Sequence, residues 1–209
     1  NLSAHRAAAR EEHFSATLDW AMRWVLLIGV PSALALIVLA EPILITLFQY
    51  GALTSHDVNM SALSLRALSL GLVAFMLIKV LAPGFYAHMD TATPVKIGIT
   101  AMVANMVMNL MFSLPLMYLF NIGHMGLALA TSLAAMLNAG LLMRGLLRAG
   151  YYHFQPGWVP YAMRLLVASA SMVAAIIWLA PAGTAWYDWH WLRRVFELGL
   201  LCGVGVAVY

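Results

Sequence analysis

The sequence predicts an all-α fold, a polytopic integral membrane bundle of six transmembrane helices with the last one cut short. Three observations predict it. Of the 209 residues, 64% are hydrophobic and only 9% are charged, whereas a soluble domain carries about 25% charged residues. Charged and turn residues gather between apolar stretches of about twenty residues, the length that about 30 Å of hydrocarbon demands at 1.5 Å per residue. The basic residues stand singly at the ends of those stretches. A net charge of +3 without a dense basic patch is a topology signal and argues against a nucleic-acid partner.

The spans follow in order. The first covers 17–39, and Pro42, which offers no N–H, is expected to break it. The apolar piece 43–48 is too short to cross and reads as a re-entrant or interfacial turn. The second span, 59–82, is expected to end at Pro83 and Gly84, where a missing donor meets a permissive residue. The remaining spans are 94–119, 124–148, 158–180 and 190–209. All of 1–209 reads as a single membrane domain, with no soluble domain, linker or internal repeat. Because Asn1 opens a polar helical run without an initiator Met and Tyr209 falls inside an apolar stretch, the chain is expected to be a fragment.

Orientation follows from the Lys/Arg bias. One set of flanks holds Arg6, Arg10, Arg23, Lys79, Lys96, Arg144, Arg148 and Arg164; the other holds Arg66, Arg193 and Arg194, with no Lys or Arg in 50–58 or 120–123. This places the N-terminus in the cytoplasm. Trp20 and Trp24 at the first crossing, Tyr151, Tyr152 and Trp158 at the fifth, and Trp186, Tyr187, Trp189 and Trp191 at the sixth read as interfacial anchors.

Arg66, about two turns into the second span, is the leading functional candidate, since an intramembrane cation is costly and faces a cavity or a partner; the alternative is that it snorkels outward. Lys79 near the cytoplasmic end of the same helix meets the negative end of the macrodipole. Asp19 and Arg23, four residues apart, share a helix face and can pair. Arg66, Lys79 and Arg23 are therefore the substrate-path candidates. Asn105, Asn109 and Asn138 are expected to bridge helices, and Gly199 and Gly203 to let a neighbour approach. The methionines read as adaptable packing or lipid-facing surface. Cys202 stands alone, so no disulfide or cysteine metal site is expected. Asp188 with His190, and His88 with Asp90, are the only carboxylate–imidazole pairings of interest. They fall on opposite sides of the membrane, with no nucleophile motif, zinc-type spacing or phosphate loop. No catalytic residue, metal or cofactor is expected.

Three stretches together resemble the MurJ/MviN family of lipid II flippases, within the multidrug/oligosaccharidyl-lipid/polysaccharide exporter superfamily. They are Leu47-Phe48-Gln49-Tyr50-Gly51 at the first outer turn; the cytoplasmic loop from Lys79 through Pro83, Gly84 and Tyr86 to Asp90, Thr93, Pro94 and Lys96; and Gln155-Pro156-Gly157-Trp158. Leu18-Asp19-Trp20 agrees as well. His88, Met89 and Ala92 depart from the family pattern and leave the loop less basic. The resemblance implies that the six spans are the ninth to fourteenth helices of a fourteen-helix, two-lobe transporter in the bacterial inner membrane. It implies transport of the undecaprenyl-pyrophosphate-linked peptidoglycan precursor by alternating access, without covalent chemistry. The partners it implies are that lipid, membrane lipids and an N-terminal lobe of the same protein. The family's essential cavity arginines lie upstream of Asn1, so none is carried over. Rival expectations are an exporter of drugs or O-antigen lipids, a membrane enzyme acting on polyprenyl-phosphate sugars, and a structural subunit.

Overall fold

A computed structural model of the chain describes residues 2–49, 54–120, 122–181 and 185–209, and the side chains of all these except 2–10, 119 and 120. Every regular element among them is an α-helix: α1 (Leu2–Phe48), α2 (Ser55–Tyr86), α3 (Ala92–Phe120), α4 (Gly123–Arg148), α5 (Trp158–Leu179), the single turn α6 (Ala185–Asp188) and α7 (Trp191–Val208). Five of them, all but α6 and α7, combine the length and hydropathy needed to cross a bilayer. The motif residues Tyr50 and Gly51, and the middle of the 120–123 connection, lie outside the described residues, as do the side chains of Arg6 and Arg10.

Helix α1 corrects the expected break at Pro42. It runs unbroken for 47 residues through Pro31 and Pro42, about 70 Å, so 43–48 is its outer end and not a separate turn. A proline inside a membrane helix survives when neighbours satisfy the backbone groups it strands. Leu27, whose carbonyl Pro31 deprives of a donor, accepts the Tyr209 hydroxyl at 2.7 Å. The carbonyl that Pro42 deprives is that of Val38; one residue before it, the Ile37 carbonyl accepts from Arg66 Nε at 3.2 Å.

Helix α2 begins earlier and ends later than 59–82. Thr54 caps it in a reciprocal box: its hydroxyl accepts from the Asp57 amide at 3.3 Å, and the Asp57 carboxylate accepts from the Thr54 amide at 3.0 Å. This Thr-x-x-acid pattern is a start signal legible in the sequence. Pro83 and Gly84 lie within the last turn of α2 and do not end it. Helix α4 ends on Gly150, at φ +73°, where the Tyr151 amide returns to the Leu146 carbonyl at 3.0 Å. Gly157, at φ +93°, turns the chain into α5, a backbone state that explains the glycine of the Gln-Pro-Gly-Trp stretch.

The helices form two groups joined along α1. In the first, α2 packs between α1 and α4, and α3 rests on α4. Small residues set the spacing there: a Cβ on Gly71 would fall 2.8 Å from Ser132 Cα, and one on Gly126 would fall 2.8 Å from the Ser113 backbone. Ser132 Oγ closes the α2–α4 contact by donating to the Ala67 carbonyl at 2.6 Å. The inner core gathers Leu18, Met22, Leu81, Phe85, Leu142, Leu146 and Tyr152. In the second group, α5 and α7 pack on each other and on α1, and the outer core joins Leu39, Ile45, Val58, Ile176, Trp186 and Leu201. Gly199 and Gly203 meet nothing within 4 Å; the close approach on α7 is made by Gly205, whose Cβ would fall 3.2 Å from Ile176.

Candidate functional site

Three sites arise along α1: a polar hub around Asp19, an apolar groove beside Pro31 and a charged cluster around Glu41. The hub centres on Asp19, which is 3% exposed. Its carboxylate accepts from Arg23 Nε at 2.8 Å, the Tyr152 hydroxyl at 2.7 Å, Trp158 Nε1 at 2.6 Å and the Gln155 amide at 3.5 Å. Arg23 also donates to the Pro156 carbonyl at 3.1 Å and lies 5.2 Å from the Trp158 ring and 5.7 Å from that of Tyr161. A carboxylate this enclosed is stable only with such a set of donors. Burial, and then the Asp19 carboxylate, push the Tyr152 phenol well above its ordinary range, keeping it a neutral donor.

The same face of α1 continues outward at four-residue intervals. Tyr161 donates to the Arg23 carbonyl at 2.5 Å and Tyr209 to that of Leu27 at 2.7 Å. Above Tyr209, α1, α5 and α7 part around an apolar groove of about 390 Å³, whose lining includes Ile28, Pro31, Ala35, Met172, Cys202 and Val206. Helices α5 and α7 supply two walls of the groove and α1 the third. The groove has the size and polarity for a segment of hydrocarbon chain.

Toward the C-terminal end of α1, Glu41 accepts from the Tyr187 hydroxyl at 3.1 Å and lies 4.0 Å from Arg66 Nη2. Burial and then Glu41 raise the Tyr187 phenol. Arg194, taken from sequence as a topology charge, is buried. It donates to the carbonyls of Ile45 at 3.4 Å and Tyr187 at 3.0 Å, holding the last turn of α1, where the Ile45 carbonyl also accepts from the Gln49 amide at 3.3 Å and the cation meets the negative end of the helix dipole. The signal was present: a cation one turn into the last span whose neighbour Arg193 is free to serve the surface.

The sequence candidates separate. Arg66 sits three turns into α2 with its side chain 38% exposed, divided between α1 and open space. Arg23 belongs to the Asp19 hub. Lys79 is exposed on α2, far along the helix from Arg66. Pro83 and Gly84 lie inside the last turn of α2, which runs on to Tyr86, while Thr93, Pro94 and Lys96 open α3, so the loop between the helices is short. Asp90 accepts from the Thr93 amide at 3.0 Å; the Thr93 side chain first, and then this amide, hold its carboxyl below the usual range. His88 stacks on Tyr151 at 3.9 Å and donates from Nδ1 to the Gly84 carbonyl at 3.0 Å. Asn105 and Asn138 line one cavity of about 340 Å³ between α2, α3 and α4. The Oδ1 atoms of these two and of Asn109 have no partner among the described residues, so the carboxamides do not bridge the helices to one another.

These long apolar helices, with few charges inside them, define a multi-pass α-helical membrane protein. The chain belongs to the family described as lipid II flippase MurJ, whose profile matches residues 1–196. A relative from Vibrio cholerae named probable lipid II flippase MurJ is 44% identical over 208 residues, covering 100% of this chain and 38% of the relative. The lipid II flippase MurJ of Burkholderia cenocepacia is 40% identical over 193 residues, 92% of this chain and 36% of that protein. This chain therefore spans well under half the length of these relatives. A solved structure described as lipid II flippase MurJ in an inward closed conformation superposes with a TM-score of 0.73 at 22% identity, covering 94% of this chain and 38% of that one; it shows the fold.

Proposed function

We propose that this chain is the C-terminal lobe of an inner-membrane lipid II flippase, with its N-terminus in the cytoplasm. Paired with an N-terminal lobe, it carries the undecaprenyl-pyrophosphate-linked precursor from the cytoplasmic to the periplasmic leaflet by alternating access. The observation that carries this reading is the 44% identity, over the whole chain, to a relative named as such a flippase. The geometry divides the labour. A pyrophosphate-sugar headgroup needs a hydrated cationic cavity between helices, whereas its prenyl tail can stay in hydrocarbon. The α1–α5–α7 groove suits the tail. Of the intramembrane cations, Arg23 is committed to Asp19 and Arg194 is buried on backbone carbonyls, whereas Arg66, which holds the Ile37 carbonyl and Glu41 but stays 38% exposed, and the exposed Lys79 can still face a headgroup path. Two cations on one lobe are too few to enclose a pyrophosphate, so the other lobe completes the path. The lobe itself makes and breaks no bond.

The test is complementation of a flippase-depleted strain with this lobe alone, with the upstream lobe alone, and with both co-expressed. Rescue is expected only from the pair, with membrane insertion verified for each. Rescue by this lobe alone would refute the division. In the full-length protein, Arg66→Leu is expected to impair lipid II translocation more than it lowers expression; full complementation by that variant would return Arg66 to an outward-snorkelling role.

A further inference from the structure

Pro31 leaves the Leu27 carbonyl without its helical donor, because the residue four positions on has no N–H. The oxygen faces the groove, not bulk water, and one group reaches it: the hydroxyl of Tyr209, at 2.7 Å. Both residues line the groove. The neighbouring contact one turn inward differs. Tyr161 donates to the Arg23 carbonyl, which has a helical donor available from the Leu27 amide, so that bond is an addition and not a replacement. On the outer side, Ser32 returns its hydroxyl to the Ile28 carbonyl at 2.7 Å and so offers Leu27 nothing. Helix α7 is otherwise fastened to α1 near its far end, through Arg194. Between these two attachments lies the open apolar groove.

We propose that Tyr209 is a latch across the Pro31 gap of α1. Its hydroxyl supplies the hydrogen bond that Pro31 removes, and in doing so it ties α7 to α1 beside the groove at the level of Leu27. With the bond made, α1 behaves as one rod through Pro31. With the bond released, α1 opens locally at 27–31 and α7 is free to part from α1 at that level. The wall of the groove and the stiffness of α1 are thus one variable, whatever occupies the groove.

The test uses amide hydrogen exchange in the full-length protein in lipid nanodiscs, read in peptides covering residues 27–35. Tyr209→Phe keeps the ring and removes the donor, and is expected to speed exchange about two- to tenfold, the range that one net hydrogen bond supports. Pro31→Ala gives Leu27 a helical donor again; it is expected to slow exchange there and to shrink the effect of Tyr209→Phe to less than twofold. Tyr161→Phe is expected to leave these peptides within twofold of the unmodified protein. Unchanged exchange in Tyr209→Phe overturns the latch. So does equal acceleration with Pro31 and with Ala at that position, which would assign the effect to ring packing. Faster exchange in Pro31→Ala alone overturns it even where the double variant does not fold.

Discussion

Replacing Asp19 with Ala removes the acceptor on which four donors converge. Tyr152 is fully buried, so its hydroxyl at 2.7 Å has no water to turn to. A buried donor left unsatisfied costs about 1–3 kcal/mol. Trp158 Nε1 at 2.6 Å is half-buried and loses about 0.5–1.5 kcal/mol, the net value of an ordinary bond. Arg23 keeps the Pro156 carbonyl and its aromatic neighbours, and part of its guanidinium reaches water, so its loss is smaller, on the order of 1 kcal/mol. The expected destabilisation is about 2.5–5.5 kcal/mol, with the interaction of α5 and α1 weakened first. Asp19→Asn keeps one acceptor oxygen and is expected to cost about half as much. Unfolding of the full-length protein in mixed micelles, titrated with dodecyl sulfate and followed by tryptophan fluorescence, measures these differences. Adding Tyr152→Phe to Asp19→Ala removes the stranded hydroxyl and should recover part of the loss, since deleting both partners of a buried bond costs less than deleting one. A loss within about 0.5 kcal/mol of zero for Asp19→Ala, or a further loss when Tyr152→Phe is added, would refute the account of the hub as a set of satisfied buried donors.

Three other outcomes are expected. Gly71→Ala forces a Cβ to 2.8 Å from the Ser132 backbone and should destabilise by about 1–3 kcal/mol, whereas Gly140→Ala, with nothing within 4 Å, should be neutral or slightly stabilising; the same unfolding titration compares them. Cysteines at Ser55 and Ala87 in a Cys202→Ala background should differ toward an impermeant maleimide added to intact spheroplasts, with Ser55 labelled and Ala87 protected; the reverse pattern inverts the frame. Asp90 titrates below its ordinary 3.8 because Thr93 holds its charged form, so its cap on α3 is fully present above that pH and is lost as pH falls through the lower folded value. Amide exchange in 90–96, corrected for intrinsic rates, should therefore quicken below about pH 3.8, and Asp90→Asn should remove that pH step.

Much of the architecture is written locally. Apolar length states where helices cross, because hydrocarbon thickness demands it of any sequence. Thr54 and Asp57 mark the start of α2, and Gly157 marks the turn before α5. The stretches around Asp19, Pro83 and Pro156 carry the family resemblance. Even the Asp19–Arg23 pair is legible, since both residues lie on one helix face.

What only the tertiary structure decided is which side chains answer which backbone groups across the bundle. Pro42 predicts a break from the sequence because its missing donor is a local fact; the helix continues because its packed neighbours lie far away in the chain. Tyr152 and Trp158 join Asp19 from more than 130 positions along, and Tyr209 reaches Leu27 from 182 positions away. Arg194 looked like a surface charge until the end of α1 was found against it. The groove, too, belongs to no single span, since its third wall comes from α1. Local periodicity carries no record of such meetings. They arise when polar groups removed from water must find partners in three dimensions, and the fold that satisfies them also shapes the groove.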